Sequence, residues 1–379
     1  MEKVVYILGA GFSKSANAPL QSEIIKEIFS IKRKDLSSFP YNNLFFKYRR
    51  TLIDLLVKVF YLDKEEFKKF PLEDIFSAID RSLLDNISLG KFDKIQLLDS
   101  RDKINALIIM LMDYKLRDST KPHIKKFADY LVNTRKINYD LDNESDPYSI
   151  ISTNWDIILE NALFESIHSP QHHFNGKIDY CFYIHSYDEN EFPEKLRSGL
   201  YWRGKGYFNV KILKLHGSMN WLQCQKCQRV FVTFFRKIAL DRFISKPTCK
   251  YCEKHLGRKE GAELLSVLIM PTFLKDLSIF QLKLSWQITG IELQEASKIV
   301  FMGYSFPLAD FEFRQLLARS VKECAEIDVV LCHNDEPIKF PGTHRINEFL
   351  PEHRYKSFFG KRKINFFYEG VEKYINSNF

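Results

Sequence analysis

Residues 4–19, VVYILGAGFSKSANAP, decide the fold class of this chain. The apolar run at 3–8 is rich in β-branched residues and ends at Gly9, as expected of a parallel strand buried on both faces. Pro19 suits the first turn of a helix, and apolar residues recur at helical spacing from there to Phe29. The stretch therefore predicts a strand, a glycine turn and a helix.

Short apolar runs recur along the chain, each followed by polar or glycine residues: 148–152, 210–215, 265–269, 298–302 and 326–331. Helical spacing appears between them at 156–165, 282–296 and 311–324. Alternating strands and helices predict an α/β fold with a Rossmann-like, parallel, doubly wound sheet. Ligands of such sheets bind beyond the carboxyl ends of the strands.

Amphipathic helices fill the region between the first two predicted strands, at 52–60, 72–84, 104–116 and 123–132. We therefore expect an α-helical insertion at 31–146. The expected core comprises 1–30, 147–222 and 263–340, with a zinc-ribbon insertion at 223–262. The tail at 341–379 is expected to pack on the core or on a partner.

Composition narrows the class of protein. The chain has 379 residues, 45% of them hydrophobic, so it can bury a sizeable core and is not a disordered chain. Its formal net charge of +8 is spread without a long run of like charges, which favours solvated faces over a nucleic-acid footprint. No apolar stretch reaches the length of a membrane span and no cleavable signal pattern precedes the first strand, so we expect a cytoplasmic protein without membrane contact.

Four of the seven cysteines form two CxxC pairs, Cys224 with Cys227 and Cys249 with Cys252. Such pairs can place four thiolates tetrahedrally around one zinc ion, and in a reducing compartment zinc explains them better than disulfides. Because all four positions are cysteine, the predicted site is closed and structural, with no open position for a catalytic water. Zinc ribbons can also bind nucleic acid, and that alternative stays open beside the favoured scaffold role.

Polar or glycine residues follow several of the predicted strands. GAGFS at 9–13 lets the backbone approach a diphosphate closely, although the third glycine of the usual dinucleotide fingerprint is missing and a tight turn is the alternative. TNWD at 153–156 places several polar groups at a strand end, which predicts a functional site, and a helix cap is the alternative interpretation. His216 follows another strand and is placed to accept a proton near pH 7. GYS at 303–305 predicts a second backbone contact to a dinucleotide, or a turn after which Asp310 caps the next helix.

Taken in order, GAGFS, TNWD, LHGS at 215–218, the paired CxxC and GYS resemble the motifs of the sirtuin family. The resemblance covers roughly 1–30 and 147–335 and implies an inverted Rossmann-type sheet that binds NAD beside a small zinc-ribbon domain. It implies catalytic roles for Asn154, Asp156 and His216, with the histidine as general base, and zinc ligation by the four cysteines. It implies coenzyme binding by ten residues: Gly9, Ala10, Gly11, Phe12, Ser13, Thr153, Gly303, Tyr304, Ser305 and Asn334.

Two departures qualify that resemblance. Protein deacetylases of the family carry a proline-aspartate-phenylalanine-arginine segment after the first motif and a phenylalanine-glycine-glutamate strand after the zinc ribbon, where this chain reads SKSANAPLQSE at 13–23 and LIMPTFLKD at 268–276. The chain then resembles the divergent branch of bacterial antiphage defence, which implies hydrolysis of NAD+ to nicotinamide and ADP-ribose. An NAD-dependent protein deacylase and a non-catalytic NAD or ADP-ribose sensor are the alternatives.

Unregulated destruction of NAD would kill the host cell, so a latent state is expected. We expect control by assembly, either as a homo-oligomer or with a partner. Compact members of the branch implied by the resemblance occur beside DNA-translocating ATPases of the HerA type, which makes such an ATPase a candidate partner.

Overall fold

The computed structural model of the chain describes residues 2–117, 121–140, 146–169, 175–188, 207–234, 236–257, 260–332 and 350–379. Its strands are β1 (Val4–Leu8), β2 (Tyr148–Ser152), β3 (Gly176–Asp179), β4 (Ile184–Ser186), β5 (Phe208–Lys214), β6 (Gly217–Cys224), β7 (Val230–Val232), β8 (Leu264–Leu268), β9 (Lys298–Met302), β10 (Glu326–Val330) and β11 (Ile364–Phe367). Its α-helices are α1 (Ala10–Ser13), α2 (Ile24–Ser30), α3 (Asn42–Lys58), α4 (Leu72–Leu84), α5 (Lys94–Lys115), α6 (Pro122–Asp140), α7 (Ile158–Ile167), α8 (Asp241–Ile244), α9 (Lys250–Leu256), α10 (Phe280–Glu295), α11 (Phe311–Ser320), α12 (Pro351–Phe359) and α13 (Gly370–Asn378).

A seven-stranded sheet in the order β11-β10-β9-β1-β2-β5-β3 forms the centre of the molecule. Its neighbouring strands pair in parallel. The registers align the strand ends, because Leu8 lies opposite both Ser152 and Met302, and Ser152 lies opposite Lys214. The loops after these strands therefore leave the sheet at one edge. The predicted α/β fold with a Rossmann-like parallel sheet is confirmed.

Helices cover both faces of this sheet. Adjacent residues of a strand point to opposite faces. On β2, the Tyr148 hydroxyl donates to the backbone oxygen of Leu131 in α6 at 2.6 Å, whereas the neighbouring Ser149 hydroxyl donates to Glu292 in α10. Helices α6 and α10 therefore lie on opposite faces, which is the doubly wound arrangement.

A second, four-stranded sheet has the order β4-β7-β6-β8, with β6 antiparallel to both β7 and β8. The prediction that 265–269 is one of the parallel strands is wrong, because β8 pairs with β6 in this smaller sheet. The residue pattern gives no sign of β6, since it contains Ser218 and Asn220, which are polar but fully buried. Its first residue, Gly217, has φ +76°, and a Cβ there would lie 1.9 Å from the backbone oxygen of Val267.

The described residues between β1 and β2 are largely helical. Helix α5 lies in the middle of this region and contacts α2, α3 and α4. Its residues from Ala106 to Leu111 are all buried, so the helix has no solvated face over that stretch. The division of the chain into core, insertions and tail stays a prediction. Within the described ranges, no helix is both long and apolar enough to cross a bilayer.

The last described segment, 350–379, packs on the main sheet. Strand β11 pairs in parallel with β10 and extends the sheet at that edge. The Tyr355 hydroxyl of α12 donates to the backbone oxygen of Tyr304 at 2.8 Å. The Phe379 ring lies 5.9 Å from that of Tyr6 and 5.0 Å from that of Phe127. The sequence of this segment contains no pattern that predicts β11. Asn334, a predicted coenzyme contact, lies outside the described residues.

Candidate active site

The loops after β1, β2 and β5 meet at a cleft of about 610 Å³ that is open to solvent. Five residues of the predicted site line it: Ala10, Thr153, Asn154, Asp156 and His216. They come together because parallel strands in register deliver their following loops to one edge of the sheet. The structure thus places the three predicted catalytic residues around one cavity.

His216 lies two residues after Lys214, the last residue of β5, and is 9% exposed. Its Nδ1 lies 3.1 Å from the backbone oxygen of Thr153, and a carbonyl oxygen can only accept, so the neutral ring carries its proton on Nδ1. The other nitrogen, Nε2, has no hydrogen-bond partner among the described residues. Burial lowers the pKa of His216, and the Asp310 carboxylate opposes this only in part. His216 is therefore a neutral imidazole with a free acceptor nitrogen.

Asn154 joins the loop after β2 to the loop after β1. Its Nδ2 donates to the backbone oxygen of Gly9 at 2.9 Å and lies 3.4 Å from the Ser13 hydroxyl oxygen. The side chain is almost fully buried yet borders the cleft. Since the amide nitrogen is occupied by the glycine loop, Oδ1 is the remaining acceptor of Asn154.

Asp156 is held at the start of α7. Its Oδ1 accepts a hydrogen bond from the backbone N–H of Ile158 at 3.2 Å, although the N-cap position of α7 is occupied by Ile157 and not by Asp156. Its backbone oxygen accepts from Lys214 Nζ at 2.6 Å, and Lys214 pairs with Glu160 at 2.8 Å. This buried ion pair fixes the Asp156 backbone beside the cleft.

The glycines of GAGFS and GYS pack against each other. A Cβ on Gly11 would lie 2.8 Å from Gly303 Cα, and a Cβ on Gly9 would lie 2.5 Å from Tyr304 Cα. Gly303 has φ +64°, and a Cβ there would lie 2.3 Å from the backbone nitrogen of Phe12. Close contact between two loops therefore requires these glycines, whether or not a diphosphate lies nearby.

Of the predicted coenzyme contacts that the structure describes, Gly9, Gly11, Phe12 and Ser13 do not line the cleft. Among the described residues, those that line it do not include Gly303, Tyr304 or Ser305. The Phe12 and Tyr304 side chains are buried in the hydrophobic core, and Ser305 is exposed to solvent. Sequence order alone cannot distinguish a loop that borders the cleft from one that packs behind it.

We expect Gly303→Ala to lower the free energy of unfolding by about 3 kcal/mol or more, because a left-handed backbone and a backbone clash add at this position. Gly257→Ala is the matched control, since Gly257 has φ +58° and no atom of the described residues lies within 4 Å of its Cβ position, and we expect it to cost about 1 kcal/mol. Denaturant unfolding of both variants measures the difference. Equal losses would contradict the proposed close packing of the two loops.

Two charged side chains of the cleft were not predicted to act there. Lys275, from the LIMPTFLKD stretch, and Asp310, ahead of α11, both line the cavity. Asp310 does not cap α11 with its side chain, so that alternative is wrong. Its carboxylate instead contacts His216, Lys275 and Tyr304. No spacing pattern signals these contacts, because they join three loops that are distant in the chain.

The four cysteines form one cluster at the far end of β6. The Sγ atoms of Cys224 and Cys252 lie 3.8 Å apart, those of Cys227 and Cys249 lie 3.7 Å apart, and all four lie within 4.8 Å of one another. A tetrahedron with Zn–S bonds of about 2.3 Å has edges of about 3.8 Å, whereas a disulfide would bring sulfur atoms to about 2.05 Å. The donor set and its spacing fit a structural zinc ion.

The surroundings of the four thiols differ, because burial raises the pKa of Cys249 to about 12 and also raises that of Cys252, whereas the pKa of Cys227 is lowered. Burial opposes ionisation of Cys227, but hydrogen bonds from the backbone and side chain of Arg229 outweigh it and lower the pKa of this thiol to about 7. A small hydrophobic core that includes Leu222, Phe231 and Ile238 packs around the cysteines. A bound zinc ion would cross-link β6 to the helix α9, which carries Cys252.

Comparison with known proteins finds likeness in structure and none in sequence. No family model matches the chain, and no curated protein matches it. A Sir2 enzyme solved in work on the mechanism and regulation of these enzymes has a TM-score of 0.42 and 11% identity, covering 99% of this chain and 89% of the other. A Sir2 homologue in complex with NAD also has a TM-score of 0.42 and 11% identity, covering 99% and 87%. A Sir2 homologue mutant in complex with 2′-O-acetyl-ADP-ribose has a TM-score of 0.38 and 12% identity, covering 95% of each chain.

Proposed function

We propose that this chain is an NAD+ glycohydrolase, which hydrolyses NAD+ to nicotinamide and ADP-ribose. The observation that carries the proposal is the meeting of His216, with its free Nε2, and Asn154 at one cleft beyond the carboxyl ends of β2 and β5. Such a cleft is where doubly wound sheets bind their ligands. The order of the sequence motifs supports NAD as that ligand.

The reaction breaks the bond between C1′ of the ribose and the nicotinamide nitrogen. Water adds to C1′, the bonding pair leaves with nicotinamide, and the proton of the water passes to His216 Nε2. Positive charge develops on the ribose as the bond breaks, and the carboxylate of Asp156 in the same cleft would stabilise it. Asn154 would orient the ribose or the water through Oδ1.

The three candidate functions are distinguished by the products that form from NAD+. Incubation of the purified chain with NAD+, with and without an acetylated peptide, should yield ADP-ribose and nicotinamide in both cases. Acetyl-ADP-ribose formed only with the peptide would identify a protein deacylase. Tight binding of NAD+ without turnover would identify a sensor. Either of these results would overturn the proposed hydrolase.

The pH dependence of NAD cleavage should reflect the buried histidine. Burial lowers the pKa of His216 below its ordinary value of 6.5, so the neutral base persists below that pH and is lost as pH falls through the lowered value. We therefore expect kcat/KM to hold constant through pH 6.5 and to decline only in more acidic solution. A pH–rate profile measures this, and a decline that begins above the ordinary histidine value would contradict it.

We also propose a biological role for the activity. The resemblance of the motifs supports a role in antiphage defence by depletion of NAD+, with activity controlled by assembly as a homo-oligomer or with a HerA-type ATPase. Activity measured against protein concentration, together with molecular mass in solution, tests this control. A fully active monomer at low concentration would contradict it.

A further inference from the structure

We propose that Asp310 is a positioning residue for His216, held in place by Lys275 and Tyr304, so that the site uses a histidine–aspartate pair. The inference rests on the proposed function, because it names the residue that holds the proposed base, His216, in its working state. Asp310 lines the cleft, and its effect on the reaction would pass through the imidazole.

The geometry brings a carboxylate to the free nitrogen of the imidazole. Asp310 Oδ1 lies 3.5 Å from His216 Nε2, and both side chains are about nine-tenths buried. That distance exceeds a hydrogen bond, so Nε2 keeps its lone pair for an incoming proton. Once Nε2 is protonated, the two largely buried side chains form an ion pair.

Two further side chains hold the carboxylate in position. The Tyr304 hydroxyl donates to Asp310 Oδ2 at 2.7 Å. Lys275 Nζ lies 3.2 Å from Asp310 Oδ1 and its side chain is 2% exposed. Lys275 also donates to the backbone oxygen of Ala309, immediately before Asp310. A buried carboxylate with these partners has little freedom to turn away from His216.

Several charged groups face His216 from the loops packed around it. Asp310 and Glu312 favour the protonated ring, whereas Lys275 disfavours it. Asp156 lines the same cleft from the loop after β2. Of the two carboxylates on the α11 side, only Asp310 contacts the ring, since Glu312 pairs with Lys275 at 3.3 Å. Asp310 is therefore the group that compensates an imidazolium formed during the reaction.

The test is a titration of His216 by NMR in the zinc-loaded full chain with isotope-labelled histidine and without NAD+. The His216 signal is assigned by its loss in His216→Ala. Asp310→Asn should lower the His216 pKa by about one pH unit, because a neighbouring opposite charge is removed from the protonated ring. Glu312→Gln, the matched control, should lower it by much less.

Loss of the Asp310 charge should also change the kinetics of NAD cleavage. Asp310→Asn should reduce kcat for NAD cleavage about tenfold at the pH plateau with KM unchanged, and should shift the acidic limb to lower pH. Tyr304→Phe, which keeps the ring packing, should reduce kcat in the same direction but less. If thermal unfolding shows that Asp310→Asn does not fold, the kcat of Tyr304→Phe provides the kinetic test.

Three results would overturn the pair. They are an unchanged His216 pKa in Asp310→Asn, an equal fall in Glu312→Gln, and undiminished kcat in both Asp310→Asn and Tyr304→Phe. Because the titration uses no NAD+, it decides on the pairing even where the wild-type chain cleaves no NAD+. Failure of the proposed function and failure of the pair are thus distinguished.

Discussion

Replacement of His216 by alanine should reduce NAD cleavage by about 10²–10⁴-fold, the usual contribution of a positioned general base. The imidazole is buried, neutral and free at Nε2, and no other histidine lines the cleft in the part of the chain that the structure describes. Asn154→Ala should cause a loss of at least about 10²-fold, because a small misplacement of the reacting groups has that effect. Release of nicotinamide from NAD+ measures both.

Matched controls separate chemistry from folding. His353 lies on α12 and interacts with Ser357 of the same helix, so His353→Ala should retain activity. Asn43 is exposed near the start of α3, so Asn43→Ala should also retain it. Because Asn154 also donates a hydrogen bond to Gly9, the thermal unfolding midpoint of each variant is measured together with its rate of NAD cleavage. Full NAD cleavage by folded His216→Ala and Asn154→Ala would contradict the proposed mechanism.

Removal of a zinc ligand should cost several kcal/mol of stability and most of the bound metal. Cys252 is fully buried in the four-sulfur cluster, and Cys252→Ser replaces a thiolate with a poor zinc ligand. Strand β6 runs from Gly217, next to His216, to Cys224 in the cluster. We therefore expect NAD cleavage to fall as well, although the cluster does not line the cleft. Metal content by elemental analysis, thermal unfolding and NAD cleavage measure the three effects.

The exposed Cys324 provides the matched control for the metal site, because it lies outside the cluster. Cys324→Ser should retain about one zinc ion per chain together with full stability. A Cys252→Ser protein that keeps its metal and its unfolding midpoint would contradict the structural zinc site.

Much of the fold could be predicted, because most of its strands are short runs of consecutive apolar residues. The predicted strands at 148–152 and 298–302 and the predicted helix at 72–84 have the observed bounds. Strands buried on both faces form continuous apolar runs, and amphipathic helices repeat at 3.6 residues, so both leave a signal in a short window. In the smaller sheet only β8 left such a signal, because β4 and β7 are very short and β6 contains buried polar residues.

Residue patterns alone were enough to predict the parallel sheet, the meeting of Asn154, Asp156 and His216 at one edge of it, and the four-cysteine site. These follow from local periodicity, from the rule that parallel strands end together, and from CxxC spacing. The folded chain was needed to show that Asp310 contacts both His216 and Lys275 and that GYS packs against the glycine loop. Those contacts join loops that are distant in the chain, and their geometry depends on how helices and sheets pack, which no short stretch of residues encodes.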